Sequence, residues 1–440
     1  MSSAASPEDA LAAFVRDADV PAAATDRVAL AFVDFALCVI AGARTPTGRR
    51  ILDAARGNAA MTPEFRLAAL GHVLDCDDNH DTIGGHPSCV LVPALLHGTR
   101  RSGRTVRDLL VPYVVGLEVM AAVARSLGRA PYEKGWHTTC IYGVLGAASA
   151  VARADASAPE VTVAALGSAA TMASGIKASF GTDAKPLQVG HAASAGVLAH
   201  RLAAAGCTSS GTALSGPQGL AAVLDVTGPR WDELSGLGGR WETLDPGIVF
   251  KRFPCCATTH APIEAVLALR HDGAEPPRLD VTVHAGRLRH VDRPVPRTPL
   301  DAKFSLQFTA AAAWVDGRCS TEQFTAERLG DERVRDVMRQ VTVRGATDIP
   351  WTTATVGCTT RAGTRVVSIP AAVGHTADTP ISFDHVAAKA ESLGIAPRDL
   401  AAIGDLVLTG TTPAARLVGA LDAAVAQNAT GSCAQPHRLQ

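Results

Sequence analysis

Aromatic residues are scarce in this 440-residue chain, 4% in all with three Tyr and five Trp, which leaves little from which to build a stacking platform for single-stranded nucleic acid. An excess of either charge is also lacking: 41 Lys+Arg face 42 Asp+Glu, a formal charge of -1. A balanced chain has no bulk field to attract a nucleic-acid backbone or an anionic membrane, so neither is an expected partner. Any electrostatics that matter must be local. No two of the ten cysteines have the two-residue separation of a metal knuckle or redox pair, so they read as reduced thiols. A basic, apolar leader is missing after Met1, and a cytoplasmic location is the expectation. Val28–Ala41, the longest apolar stretch, is interrupted by Asp34 and falls short of the roughly 20 residues that cross a bilayer. It reads as a buried helix.

What the chain has in quantity is alanine, which loses no side-chain entropy in a helix and permits close helix contacts. Ser6-Pro7-Glu8-Asp9 combines a cap, a first-turn proline and acids, and predicts a helix start. Apolar runs at Leu109–Ala124, Gly143–Arg153, Val161–Ala178 and Ala192–Ala205 continue the helical pattern to about residue 265. After Arg270 the texture changes. His271-Asp272-Gly273 and Pro276-Pro277 mark a linker, and period-two alternation at Leu279–His284, Val341–Arg344 and Thr364–Ile369 predicts strands. Helices return through Leu400–Leu408 and Ala414–Ala426. The expected fold is mostly α with a smaller inserted α+β domain: residues 1–265 and 389–440 make one all-helical domain, and residues 266–388 the insertion.

Four polar segments stand out. Leu74-Asp75-Cys76-Asp77-Asp78-Asn79-His80-Asp81 with Gly85-His86-Pro87-Ser88 concentrates acids and histidines, either as a capped turn or as a metal site, although its spacing matches no familiar metal signature. Lys134-Gly135-Trp136-His137-Thr138-Thr139 precedes a small-residue helix, whose N-terminus favours anions. Gly181–His191 carries Lys185, notable because the chain uses Arg far more than Lys; Lys134, Lys177, Lys185 and Lys251 are the only lysines between residues 130 and 260. A lysine offers a compact charge or, with a lowered pKa, a proton, which arginine cannot. Val249–His260 adds Lys251 and Arg252 beside the domain boundary, as anion-binding groups. His86, His137, Lys185 and Lys251 as cationic or proton-carrying groups, with Asp75 as orienting carboxylate or base, suit acid–base chemistry on a small polycarboxylate. No glycine-rich phosphate fingerprint is present, so no nucleotide cofactor is expected.

In this order the segments, together with Lys185-Pro186-Leu187-Gln188-Val189-Gly190-His191, Lys251-Arg252-Phe253-Pro254-Cys255-Cys256 and Ala302-Lys303-Phe304-Ser305-Leu306-Gln307-Phe308, resemble the MmgE/PrpD family of 2-methylcitrate dehydratases, cis-aconitate decarboxylases and iminodisuccinate epimerases. The resemblance covers nearly the whole chain. It implies a large helical domain with an inserted α+β lid, a site between the two, no metal or organic cofactor, and a homodimer. It also implies catalytic roles for Asp75, His86, His137, Lys185 and Lys251. Asn79 stands where decarboxylase-like members have Thr, in a loop one residue longer, and Phe308 where several have Tyr; both positions are implied substrate contacts. These departures argue against a standard cis-aconitate decarboxylase; the expected activity is that of a 2-methylcitrate dehydratase-like hydro-lyase, with a decarboxylase or an epimerase as the alternatives. A polycarboxylate-binding homologue without turnover and an Asp75/His86 metal enzyme are weaker readings.

Overall fold

The computed structural model describes residues 6–99, 103–270, 278–361, 363–375 and 382–429. The linker signal at residues 271–277 lies outside them, as do Arg101, Ser102 and the tail beyond residue 429. The first helix, Pro7–Asp17, begins where its cap predicts: the Ser6 side chain accepts from the Asp9 amide and the Asp9 carboxylate accepts from the Ser6 amide. The apolar Val28–Ala41 stretch lies within the helix Ala22–Ala43, buried on nearly all sides. Its interrupting Asp34 is 1% exposed and receives a hydrogen bond at 2.5 Å from Lys389, on the helix Phe383–Ser392. The early and late helices of the helical domain are therefore joined through one buried ion pair.

Helices Arg107–Leu127, Thr138–Ala154 and Ala184–Ala204 form the centre of the helical domain. Arg107–Leu127 is long and apolar enough to cross a membrane by composition, but it is packed inside the protein. Small residues set the closeness of approach. A Cβ at Gly146 would stand 2.4 Å from Met120 Cγ, and one at Gly196 2.5 Å from Ala147 Cβ, so these crossings admit only glycine. The run expected to reach Ala178 ends at Met172, because Gly175 has φ +115° and turns the chain back toward His137.

The inserted domain holds a mixed four-stranded sheet: β1 Arg278–His284, β2 Val341–Ala346, β3 Ala354–Thr360 and β4 Gly363–Ile369, in the order β2-β1-β3-β4. β1 runs parallel to β2 and antiparallel to β3, with Val281 opposite both Val343 and Val356. Helices His260–Leu269 and Leu306–Asp316 cover one face. The molecule thus has two hydrophobic cores. The large one takes in residues up to Phe250 and resumes at Val386; the smaller spans Phe253 to Ala372. The divisions expected at 265/266 and 388/389 cut through the helices His260–Leu269 and Phe383–Ser392, because each helix belongs whole to the core it packs on.

Candidate active site

The helix Pro63–His72 ends in a turn that places Asp75 in the left-handed region, φ 54°, a conformation Asp tolerates better than most residues. This turn exposes both the carboxylate and the backbone carbonyl of Asp75 to the same side. Lys185, in the first turn of Ala184–Ala204, donates to Asp75 Oδ1 at 2.6 Å. Lys251 Nζ lies 3.2 Å from the same oxygen and donates to the Asp75 carbonyl at 2.8 Å. Burial raises the Asp75 carboxyl, but the two ammonium groups overcome it and hold the group well below the usual range. Burial pushes Lys251 down and Asp75 and Asp77 push it further up, so it stays charged.

The loop between Asn79 and His86 is folded by its own backbone and docked on the next helix. His80 N donates to Gly85 O at 2.8 Å, and Asn79 and Val249 exchange backbone hydrogen bonds. A Cβ at Gly85 would fall 2.8 Å from Thr139 N, so glycine is required where the loop meets the start of Thr138–Ala154. The His86 amide donates to Thr139 Oγ1 at 3.1 Å. The His86 ring donates from Nδ1 to the Asp78 carbonyl at 2.6 Å, which fixes the tautomer and leaves Nε2 with a free lone pair, 3.7 Å from Asp75 Oδ1.

His137 precedes the same helix. Its Nδ1 lies 3.2 Å from the Cys140 sulfur, and its buried Nε2 makes no hydrogen bond. Burial raises the Cys140 thiol, so it stays protonated; with the thiol as donor to Nδ1, Nε2 carries the ring proton. Burial and then nearby positive charge, Lys251 for His86 and Lys185 for His137, lower both imidazoles well below 6.5. Both rings are neutral at pH 7. A second buried pair, His72 and Asp77 at 2.8 Å, backs the His86 ring edge to face at 4.6 Å.

These groups open onto a cavity of about 300 Å³ between the two domains. Asp75, His86, His137 and Lys185 come from the helical domain, and Cys256, Arg287, Phe304, Trp351 and His375 from the segments that follow Phe253. Six cationic side chains line it, Arg125, Arg129, Lys185, Arg230, Lys251 and Arg287, against two acids, Asp75 and Asp81. That excess suits a ligand with several carboxylates.

Sequence models of the MmgE/PrpD N-terminal and C-terminal domains match residues 9–232 and 253–396. The chain belongs to the MmgE/PrpD family. Among curated relatives, the cis-aconitate decarboxylase of Aspergillus terreus is 25% identical over 376 residues, covering 74% of this chain and 74% of the relative. That of Mus musculus is 27% identical over 319 residues, covering 67% of this chain and 65% of the relative. This MmgE/PrpD chain is a lyase, as those relatives are by name.

Of the eight positions singled out in the sequence, Asp75, Asn79, His86, His137, Lys185 and Lys251 line the cavity. Two do not. Phe308 is 1% exposed in the smaller core, its ring 5.9 Å from that of Phe324, because it faces inward on Leu306–Asp316. Arg252 has a side chain 51% exposed and turned toward Glu264 at 3.9 Å, one residue out of phase with the buried Lys251. Asn79 does line the cavity, but its amide, oriented by its neighbours, bonds Gly85 O and His80 N across its own loop.

Three groups at the site were not singled out in the sequence. Lys303, 4% exposed, donates to the Leu74 carbonyl, and burial lowers it to about 8. Its presence in a lysine-poor chain was the available signal. Arg287 and Trp351 lie in turns without local pattern, and only the fold brings them to the cavity. The metal reading meets a charge problem. Donor atoms of His72, Asp75, Asp77 and His86 do lie within 4.8 Å of one another, but two lysine ammonium groups already hold Asp75 within 3.2 Å and repel a cation.

Proposed function

We propose that this protein is a carboxy-lyase that decarboxylates cis-aconitate or a close tricarboxylate without an organic cofactor. The observation that carries the reading is the pairing of Lys185 and Lys251 on Asp75 beside two neutral, buried histidines at the same cavity. The curated relatives supply the substrate class.

The chemistry required of such a site is limited. The carboxylate on the methylene carbon leaves as carbon dioxide, and its bonding pair forms the new double bond to the central carbon. The electrons of the old double bond move to the vinylic carbon beside another carboxylate, which must take up one proton to give 2-methylidenebutanedioate (itaconate). Charge therefore develops on a carboxylate as an enolate, where a fixed ammonium group stabilises it most in a water-poor cavity. Lys185 and Lys251 are the groups for that role, with Asp75 keeping both charged and aimed. His137, with its proton on Nε2, is the donor to carbon; the Cys140 thiol at Nδ1 passes its proton to the ring as Nε2 gives up its own, and solvent reprotonates the sulfur after product leaves.

Dehydration of 2-methylcitrate would use the same groups to remove a proton and release water. Incubating the purified enzyme with cis-aconitate and with 2-methylcitrate, and following both by proton NMR, separates the two. Itaconate from the first and no turnover of the second is the expected outcome; dehydration of 2-methylcitrate alone would sink the decarboxylase reading.

A further inference from the structure

Arg287 ends the short turn Ala285–Arg287 that follows β1 and lines the cavity from the inserted domain. It is 6% exposed. Among the described residues, no carboxylate lies within ion-pair distance of its guanidinium, and its buried Nε makes no hydrogen bond. Asp81, the acid whose charge acts most on Arg287, makes no ion pair with it and is turned to His375 at 3.5 Å. A buried cation without an anion in direct contact is costly, and proteins keep one mainly where something else supplies that contact.

What holds the guanidinium in place is Trp351, in the turn between β2 and β3, whose ring centroid is 5.0 Å from the Arg287 guanidinium carbon. Gly286 permits this packing, since a Cβ there would come within 2.8 Å of the indole. The same ring receives Arg129 from the helical domain, at 4.5 Å. Two positive groups from two domains thus meet on one indole at the edge of the cavity. Each repels the other, and the cation–π contacts offset only part of that. An anion between them would remove the conflict.

We propose that Arg287, positioned by Trp351, is the receptor for a further substrate carboxylate, with Arg129 as its partner from the opposite domain. The site then reads three carboxylates, two of them on the Lys185 and Lys251 side, and selects tricarboxylates over dicarboxylates of the same chain length. Planar guanidinium groups suit this task because they bind a carboxylate through two parallel hydrogen bonds. The inference rests on the proposed tricarboxylate function and adds the residue that sets its specificity.

The test is calorimetric binding of propane-1,2,3-tricarboxylate and of glutarate, which lacks the central carboxylate, to the wild-type enzyme and to Arg287→Gln and Arg287→Lys. The wild type is expected to prefer the tricarboxylate by about 10–100-fold, the worth of a charged hydrogen-bond pair. Arg287→Gln should lose most of that preference with glutarate binding unchanged, and Arg287→Lys should recover part of it. The ligand-free melting temperature of Arg287→Gln should not fall, since an unpaired buried charge is removed. A preference retained in Arg287→Gln, or a variant that unfolds or loses both acids equally, overturns the assignment of Arg287 alone. Wild-type enzyme that binds neither acid overturns the tricarboxylate reading and this inference with it.

Discussion

Only six lysines occur in 440 residues, and four of them end on three consecutive positions. Lys185 and Lys251 reach the Asp75 side chain, Lys303 the Leu74 carbonyl, and Lys389 the Cys76 carbonyl. A buried ammonium group needs several acceptors, and a left-handed turn that turns out its carboxylate and carbonyls provides them. Asp75→Asn leaves Lys185 and Lys251 buried without a counter-charge; urea unfolding should show a loss of about 3–5 kcal/mol. Lys185→Ala should lower kcat/KM for cis-aconitate by about 10²–10³-fold with the fold intact by circular dichroism, the usual worth of one fixed donor to a developing oxyanion. Scarcity of lysine made Lys185 and Lys251 legible in the sequence. Phe308 shows the opposite case. Its place in the motif marked it, but only packing reveals that it faces the smaller core, so Phe308→Tyr should cost about 1–3 kcal/mol in the same unfolding measurement by burying a hydroxyl, and should not raise activity.

At the scale of elements, the helices were legible because caps and alanine-rich periodicity are local. Strand β3 was not. Its inward residues Ala354, Val356 and Cys358 are small and Gly357 interrupts them, so the strand is defined by pairing with β1 and β4 rather than by its own pattern. The helix Phe383–Ser392 has a role no local signal could show: Lys389 fixes Asp34 with one hydrogen bond and the carbonyl beside Asp75 with another. Lys389→Met should therefore act twice. Denaturant unfolding should show a loss of about 3–5 kcal/mol from the orphaned Asp34, and kcat should fall although Lys389 does not line the cavity.

For the whole molecule, the balance of charge hides an uneven interior. Burial, as the leading cause, lowers six imidazoles, His72, His80, His86, His97, His137 and His375. It likewise raises four carboxyls, Asp34, Asp78, Glu118 and Glu264, with Asp78 and Glu118 reaching about 7. Below 6.5 the unfolded chain protonates its histidines while the folded one does not, so those groups withdraw stability as pH falls. The raised carboxyls do the reverse, binding protons first in the folded state. Because the histidines of the unfolded chain take up their protons in this range, the melting temperature should drop between pH 6.5 and 5; a rise would show that the carboxyls dominate. The family resemblance also leads us to propose a homodimer, which light scattering after size exclusion should report as twice the 45.3 kDa chain mass.

The central claim is that fixed ammonium groups hold an enolate while a neutral histidine delivers one proton to carbon. Turning over cis-aconitate in D₂O and reading the product by NMR tests it in one experiment. The expected result is itaconate with a single deuterium on its saturated methylene carbon and one carbon dioxide per molecule, at a rate cut about 10²–10⁴-fold in His137→Gln. A product that retains all three carboxylates, or full activity in His137→Gln, would contradict the account.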